Sequence, residues 1–242
     1  EQTLSQQDRQ QLGYPGDKLK FWLSELSHDN DQAGYDLAKE LTEQAKEQQP
    51  MPIAIVAIGG HYGAETDHRV GGLNRYLATQ NMSLNQLVHA QWRADIANKQ
   101  TTQLLRRYPD TQIIWSASDE MAMAASDAAI LAGKHINKDI FIGGFGSHFL
   151  MGAWAMIKAY DHANMRDQDH FVTNISFKLA VANSNNVALI KPLVNPDIWR
   201  GISFMQYTFT HNPELKSYPF DVQSILEQHF TTQQAPVAQQ GQ

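Results

Sequence analysis

The spacing of apolar and polar residues changes along the chain. Segments with a spacing typical of strands alternate with segments whose spacing is typical of helices. Residues 53–58 (IAIVAI) are continuously apolar, which is typical of a strand buried on both faces of a parallel sheet. The same criteria predict further strands at 18–26, 86–92, 112–117, 140–145 and 171–177.

Helices are predicted between these strands. Leu37, Leu41 and Ala45 recur on one face of a helix over 31–48, which Asp29 or Asn30 can cap. Gly133 favours the left-handed conformation that ends a helix over 120–132. Another helix, which follows the loop after residue 58, is predicted to end near residue 80. Further helices are predicted over 96–107 and 149–160 and, with a weaker pattern, over 179–193.

Strands and helices alternate without two adjacent hairpins. This order predicts an α/β protein: a three-layer α/β/α fold with a mainly parallel sheet and right-handed crossovers. After this alternation, the pattern predicts a strand over 199–209 and a helix over 220–230. Residues 231–242 are rich in Gln with few apolar side chains, so we expect a disordered tail.

Composition narrows the possible functions. The chain has 19 Lys and Arg against 25 Asp and Glu, a net charge of -6, which argues against a broad nucleic-acid interface. Cysteine is absent, which excludes disulfides, thiolate zinc sites and cysteine nucleophiles. Small molecules or proteins are therefore the expected partners. Because the chain starts at Glu1 without Met, we expect that an upstream segment has been removed.

Ligands of parallel α/β sheets bind beyond the carboxyl ends of the strands. The segments that follow the predicted strands carry rings, hydroxyls, carboxylates and cations, which predicts a site for a small polar ligand. These residues are His28, Asp29, His61, Tyr62, Trp92, Arg93, Ser116, Ser118, Asp119, Phe145, Ser147 and His148.

Five segments together resemble, in order and spacing, the type 1 periplasmic binding proteins of the ribose- and galactose-binding group. That family is also similar to the effector-binding cores of LacI-type repressors. The segments are SHDNDQAG at 27–34, RVGGL at 69–73, LLRRYPD at 104–110, SDEMA at 118–122 and IGGF at 142–145. The resemblance extends from about residue 21 to residue 177 and implies the fold of a binding-protein lobe.

The resemblance also implies a position within that fold, because the family's Asp-Asn-x-x-Ala-Gly segment opens the second lobe. We therefore expect a C-terminal portion of such a protein, without most of the first lobe; a natively short protein is the alternative. The expected divisions are a polar lead-in over 1–17, the second ligand-binding lobe over 18–177, a segment crossing back to the first lobe over 178–198, a final strand and helix over 199–230, and the tail.

Several site roles follow from the resemblance, each beside a structural alternative. Arg69 matches an arginine that reaches ligand hydroxyls, although it also suits a surface position at a helix start. Trp92 matches an aromatic residue that the family places in the ligand cleft after the strand; the structural alternative is a residue at the edge of the core. Ser118 stands where the family commonly has Asn, whereas for Asp119 helix capping is the favoured interpretation. Met121 and Met123 are expected to pack the helix.

Gly146 departs from the family pattern. Sugar binders usually carry Asp after Gly-Phe, and glycine supplies no carboxylate. The usual pentose or hexose is therefore not the expected ligand. A modified sugar, a furanosyl signal molecule or an amine oxide is considered instead, with Ser147 and His148 as substitute ligand contacts.

The resemblance implies a non-catalytic periplasmic receptor for a sugar-like ligand, without cofactor or metal, that reports to an ABC transporter permease or a sensor kinase. The effector-binding core of a LacI-type regulator is the first alternative. A Rossmann-like nucleotide-dependent enzyme is the second, because residues 59–63 (GGHYG) are glycine-rich after a strand. His61 and His68 do not have a metal-ligand spacing that we recognise.

Overall fold

The structure is a computed structural model that describes residues 4, 6–49, 51–146, 148–164, 174–177, 179–183, 199–216, 218 and 225. The chain divides into two compact units. Unit 1 comprises Glu1–Gly146 and Thr173–Ile190, and unit 2 comprises Ser147–Val172 and Lys191–Gln242. The domain boundaries expected from the sequence stay a prediction.

Unit 1 alternates strands and helices as its pattern predicts. Its helices are α1 (Gln6–Leu12), α2 (Asn30–Gln48), α3 (Ala64–Thr79), α4 (Ala94–Arg107) and α5 (Asp119–Leu131). Its strands are β1 (Glu25–His28), β2 (Ala54–Gly59), β3 (Gln86–His89), β4 (Thr111–Ser116), β5 (Phe141–Gly146), β6 (Asn174–Phe177) and β7 (Ala180–Asn183).

Among the described residues, the main sheet has the strand order β3-β2-β4-β5-β7. The first four strands are parallel, and only β7 runs antiparallel, beside β5. The apolar run of β2 is buried in the centre, as its continuous hydrophobicity predicts. The α/β fold class with a mainly parallel sheet is therefore confirmed.

The helices flank the sheet in two packed pairs, α2 with α3 and α4 with α5. Glycine makes the first pair possible. A Cβ on Gly34 would lie 1.9 Å from the Arg69 carbonyl oxygen, and one on Gly72 would lie 1.9 Å from the Asp31 carbonyl oxygen. Asp29 caps α2 by accepting a hydrogen bond from the Gln32 amide at 3.0 Å. The close approach fixes α3, and with it Arg69, against α2.

Two predicted elements of unit 1 are wrong. The strand expected over 18–26 begins only at Glu25, because the alternating side chains before it face solvent; Phe21 is 95% exposed. That strand, β1, pairs in parallel with β6 outside the main sheet. The helix expected over 179–193 is replaced at its start by β7, where pairing with β5 overrides a weak helical pattern.

In unit 2, α6 (His148–Ala163) agrees with the predicted helix over 149–160. The strand expected over 199–209 is wrong, since Phe204–Tyr207 form a 3-10 helix. Asp161 of α6 is fully buried and accepts hydrogen bonds from the amides of Phe209 and Thr210 at 2.8 and 2.9 Å, and these bonds stabilise a turn. Apart from Ile225, the helix expected over 220–230 and the tail lie outside the described residues. Throughout the described ranges, no helix is both long and apolar enough to cross a bilayer.

Candidate functional site

The segments after β2, β3, β4 and β5 meet at one edge of the sheet because these strands are parallel and adjacent. The structure brings several of the predicted site residues into contact there. The ring of Trp92 lies 5.8 Å from that of His61, and the Arg69 guanidinium lies 5.2 Å from the Trp92 ring and 5.6 Å from the Phe145 ring. We refer to this cluster in unit 1 as the carboxyl-edge site.

Arg69 is the buried centre of the site. Its side chain has no exposed surface, so the alternative of a surface arginine is wrong. Its Nε donates to Asn30 Oδ1 at 2.8 Å, one terminal nitrogen donates to the Ala117 carbonyl oxygen, and the other pairs with Glu65. A buried guanidinium with these partners and two aromatic neighbours is held in a fixed position.

Trp92 has an uncommon backbone conformation. Gln91 and Trp92 have φ of 55° and 58°, in the left-handed region that bulky residues rarely adopt and that costs free energy. The indole lies against Gly60, where a Cβ would be 2.1 Å from Trp92 Cε2. The strained backbone of Gln91 and Trp92, together with the space that Gly60 leaves, therefore places the indole ring at the carboxyl edge of the sheet. The same contact gives Gly60 a packing role, so the glycine-rich stretch does not require a bound phosphate.

Ser118, and not Asp119, caps α5, so the favoured interpretation of Asp119 is wrong. Ser118 has the extended backbone of an N-cap, with φ -147° and ψ 158°, and its Oγ accepts from the Met121 amide at 3.2 Å. Ser118 is 9% exposed, so its hydroxyl is mostly committed to the helix. Contact of Ser118 with a ligand stays a prediction. Met121 is fully buried, as expected for helix packing.

Asp119 occupies the space beside Gly146. A Cβ on Gly146 would lie 2.6 Å from Asp119 Oδ2, closer than Cβ atoms approach oxygen in real structures. Burial raises the pKa of the Asp119 carboxyl, while hydrogen bonds from backbone amides, including that of Glu120, and the charge of Arg69 oppose this rise. The site thus has a carboxylate next to position 146, although position 146 itself is glycine.

Tyr62 and His89 form the outer part of the site. Tyr62 is 81% exposed, and its ring centroid lies 4.0 Å from that of His89 at an interplanar angle of 32°. His89 Nδ1 lies 3.2 Å from the Gly60 carbonyl oxygen. These rings extend the aromatic surface of Trp92 and His61 towards solvent.

The sequence pattern did not indicate His89, Asn30 and Glu65 as site residues. His89 ends β3 and so precedes the segment in which ligand contacts were expected. The i, i+4 spacing of Glu65 and Arg69 could have indicated their ion pair.

Two predicted site residues are not placed by the structure. Ser147 lies outside the described residues. His148 begins α6 in unit 2, and its side chain also lies outside the description. Within the described ranges, no cluster of three or more His, Asp or Glu side chains could hold a metal ion.

Comparison with known proteins identifies the family. Residues 23–171 match the periplasmic binding protein domain, so the chain belongs to this family, and the resemblance stated from the sequence is confirmed. No curated protein sequence matches the chain.

Solved structures have the same fold. The chain is 25% identical to a periplasmic sugar-binding protein from Pseudomonas fluorescens, with a TM-score of 0.73 over 93% of this chain and 72% of that one. It is 19% identical to a D-allose-bound ABC transporter periplasmic solute binding protein from Actinobacillus succinogenes 130z (TM-score 0.62; 78% and 69% covered). It is 17% identical to the arabinofuranose-bound binding protein of the arabinose ABC transporter from Shewanella sp. ANA-3 (TM-score 0.58; 74% and 65% covered).

Proposed function

We propose that this protein is a non-catalytic periplasmic receptor that binds a sugar or a sugar-like molecule at the carboxyl-edge site of unit 1. The observation that carries the proposal is the presence, at one edge of the sheet, of the Asp119 carboxylate beside Gly146 and of the Trp92 ring beside the Arg69 guanidinium, whose charge acts on Asp119. Membership of the periplasmic binding protein domain family and sugars bound to relatives of the same fold support it.

The chemistry of the site suits a sugar. An indole packs against the apolar C–H face of a sugar ring, and a carboxylate accepts hydrogen bonds from its hydroxyls. Hydrogen bonds to a charged acceptor are stronger than neutral ones, so Asp119 fixes the orientation of the ring. In this proposal Asp119 supplies the acceptor that sugar binders usually carry at the position of Gly146.

Arg69 serves in this proposal as a positioning residue. Three protein groups engage its guanidinium, and its side chain has no exposed surface. Its charge also opposes protonation of Asp119. By joining α2, α3 and the segment after β4, and by its contact with the Trp92 ring, Arg69 fixes the elements that form this edge of the sheet.

The proposed receiver of the ligand is an ABC importer. Two relatives with the same fold are binding components of ABC transporters, and the family is periplasmic by its description. Deletion of the gene is expected to abolish uptake of the ligand from the medium, and osmotic shock is expected to release the protein. Retention of full uptake after deletion would contradict the proposed role in transport.

The binding site is tested by calorimetry with D-allose, L-arabinose, D-galactose and D-ribose. Trp92→Ala and Asp119→Asn are each expected to weaken binding by a factor of ten or more, since each removes one principal contact. Asp127→Asn, an exposed carboxylate on the same helix, is the matched control and should leave affinity unchanged. Unchanged affinity in both site variants would refute the site. Turnover of a bound sugar would refute a receptor without catalysis.

A further inference from the structure

A second pair of aromatic rings, Tyr62 and His89, lies beside the pair formed by His61 and Trp92. The centroids of the Tyr62 and His89 rings are 4.0 Å apart, and the ring planes are inclined by 32°. Tyr62 is 81% exposed, so its ring packs against the imidazole while most of its surface faces solvent. The pair therefore offers an aromatic surface that the proposed contacts of one sugar ring do not use.

The two ring pairs meet at Gly60. Its carbonyl oxygen accepts a hydrogen bond from the Gln91 amide at 3.2 Å, which holds the segments after β2 and β3 side by side. The same oxygen lies 3.2 Å from His89 Nδ1. The Trp92 indole occupies the space that a Cβ on Gly60 would need. One residue thus contacts a ring from each pair.

His89 and Trp92 also lie beside the same face of α3. A Cβ on Gly59 would lie 3.0 Å from Thr66 Cγ2 and 3.1 Å from His89 Nδ1, which places the imidazole close to Thr66. The Trp92 ring lies 5.2 Å from the Arg69 guanidinium. Thr66 and Arg69 are both buried and are three residues apart, so they are neighbours on one helix face. The two ring pairs are therefore adjacent.

His89 adds a hydrogen-bonding group to this aromatic surface. A carbonyl oxygen only accepts hydrogen bonds, so the contact with Gly60 requires a proton on His89 Nδ1. In the neutral imidazole, Nε2 is then an acceptor. An aromatic ring beside an acceptor suits a sugar ring, which has an apolar C–H face and hydroxyl groups around its rim.

We propose that the ligand is an oligosaccharide of at least two sugar rings. One ring is held at the carboxyl-edge site by Trp92 and Asp119, and the next ring packs on Tyr62 beside His89. This inference rests on the proposed function and specifies its ligand class. A monosaccharide leaves Tyr62 exposed to solvent, whereas a second sugar ring removes apolar surface of Tyr62 from water and gains free energy.

The test compares monosaccharides with their own disaccharides by calorimetry on the full chain: D-galactose with β-linked galactobiose, and L-arabinose with α-linked arabinobiose. A disaccharide is expected to bind about tenfold more tightly than its monosaccharide, because stacking removes about 60 Å² of apolar surface from water. Tyr62→Ala should abolish this preference, and Tyr62→Phe should keep it. Phe21→Ala, which alters a phenylalanine that is 95% exposed elsewhere in unit 1, is the matched control and should also keep it.

Trp92→Ala tests whether both rings belong to one ligand, since it should weaken the monosaccharide and the disaccharide alike. If it weakens only the monosaccharide, the inference is overturned. A disaccharide preference that persists in Tyr62→Ala would overturn it as well. If a monosaccharide binds and no disaccharide binds more tightly, the inference fails and the proposed function stands. If neither monosaccharides nor disaccharides bind, the proposed function itself fails.

Discussion

Gly60→Ala tests how the structure places Trp92. The added Cβ would lie 2.1 Å from Trp92 Cε2 and 2.2 Å from Cζ2, whereas ordinary van der Waals contact begins at 3.4 Å. The indole must therefore withdraw by about 1.3 Å. Gly60 does not have a positive φ, so alanine adds no backbone strain, and the displacement of the ring is the whole perturbation.

The expected magnitude follows from the contact area. If the indole and a sugar ring keep about 60 Å² of apolar surface from water, their contact contributes about 1.5 kcal/mol at about 25 cal/mol per Å². Loss of that contact weakens binding roughly tenfold. The overpacking itself is expected to lower the free energy of unfolding by about 1–3 kcal/mol. Calorimetry with the bound sugar and urea denaturation measure the two effects.

Gly152→Ala is the matched control, because a Cβ on Gly152 meets nothing within 4 Å. Gly152 lies in α6, where alanine should stabilise the protein by about 0.4–1 kcal/mol without changing ligand affinity. If Gly60→Ala binds the sugar as tightly as the wild type, Trp92 is not a ligand contact. If its stability is also unchanged, the packing of the indole on Gly60 is wrong as well.

Three further predictions concern the same site. Burial raises the pKa of Asp119, so its folded state binds more protons and its contribution to stability falls as pH rises through the window above the ordinary pKa. Asp119→Asn should remove this loss, so that the free energy of unfolding in urea at pH 7 minus that at pH 4 is more positive than in the wild type; an unchanged difference would contradict the burial of this carboxyl. Arg69→Met should lower the free energy of unfolding by about 3–5 kcal/mol, because it leaves the buried partners of the guanidinium unsatisfied; a loss below 1 kcal/mol would refute its role. Ser118→Ala should cost about 1 kcal/mol in thermal denaturation through loss of the α5 cap, and no loss would show that Ser118 does not cap.

Much of the fold could be predicted because local pattern and tertiary environment agree in unit 1. The continuous apolar run of β2 is buried between helices, and the periodic leucines of α2 face the sheet. The pattern failed where a tertiary contact overrides a weak local signal. The alternation of apolar and polar residues before Glu25 does not mark a buried face. At 180–183, pairing with β5 forms the strand β7 where a helix was predicted. Side-chain periodicity carries no information about either case.

The candidate site could be predicted only in part, for a similar reason. Ligands of parallel sheets bind beyond the carboxyl ends of the strands, so the positions of His61, Tyr62, Trp92 and Asp119 after predicted strands indicated them as site residues. The partners of Arg69 depend on the close approach of α2 to α3, which two glycines permit. Asn30 therefore could not be assigned to the site from its position in the sequence alone.

The sequence by itself determined the family, the parallel α/β architecture and the edge of the sheet at which a ligand is proposed to bind, because these depend on periodicity and on motif order. The tertiary structure decided which side chains perform which role. It assigned the helix cap to Ser118, buried Arg69 completely, and placed the Asp119 carboxylate over Gly146. The physical reason is that capping, burial and close packing depend on distances of a few tenths of an ångström between segments far apart in the chain.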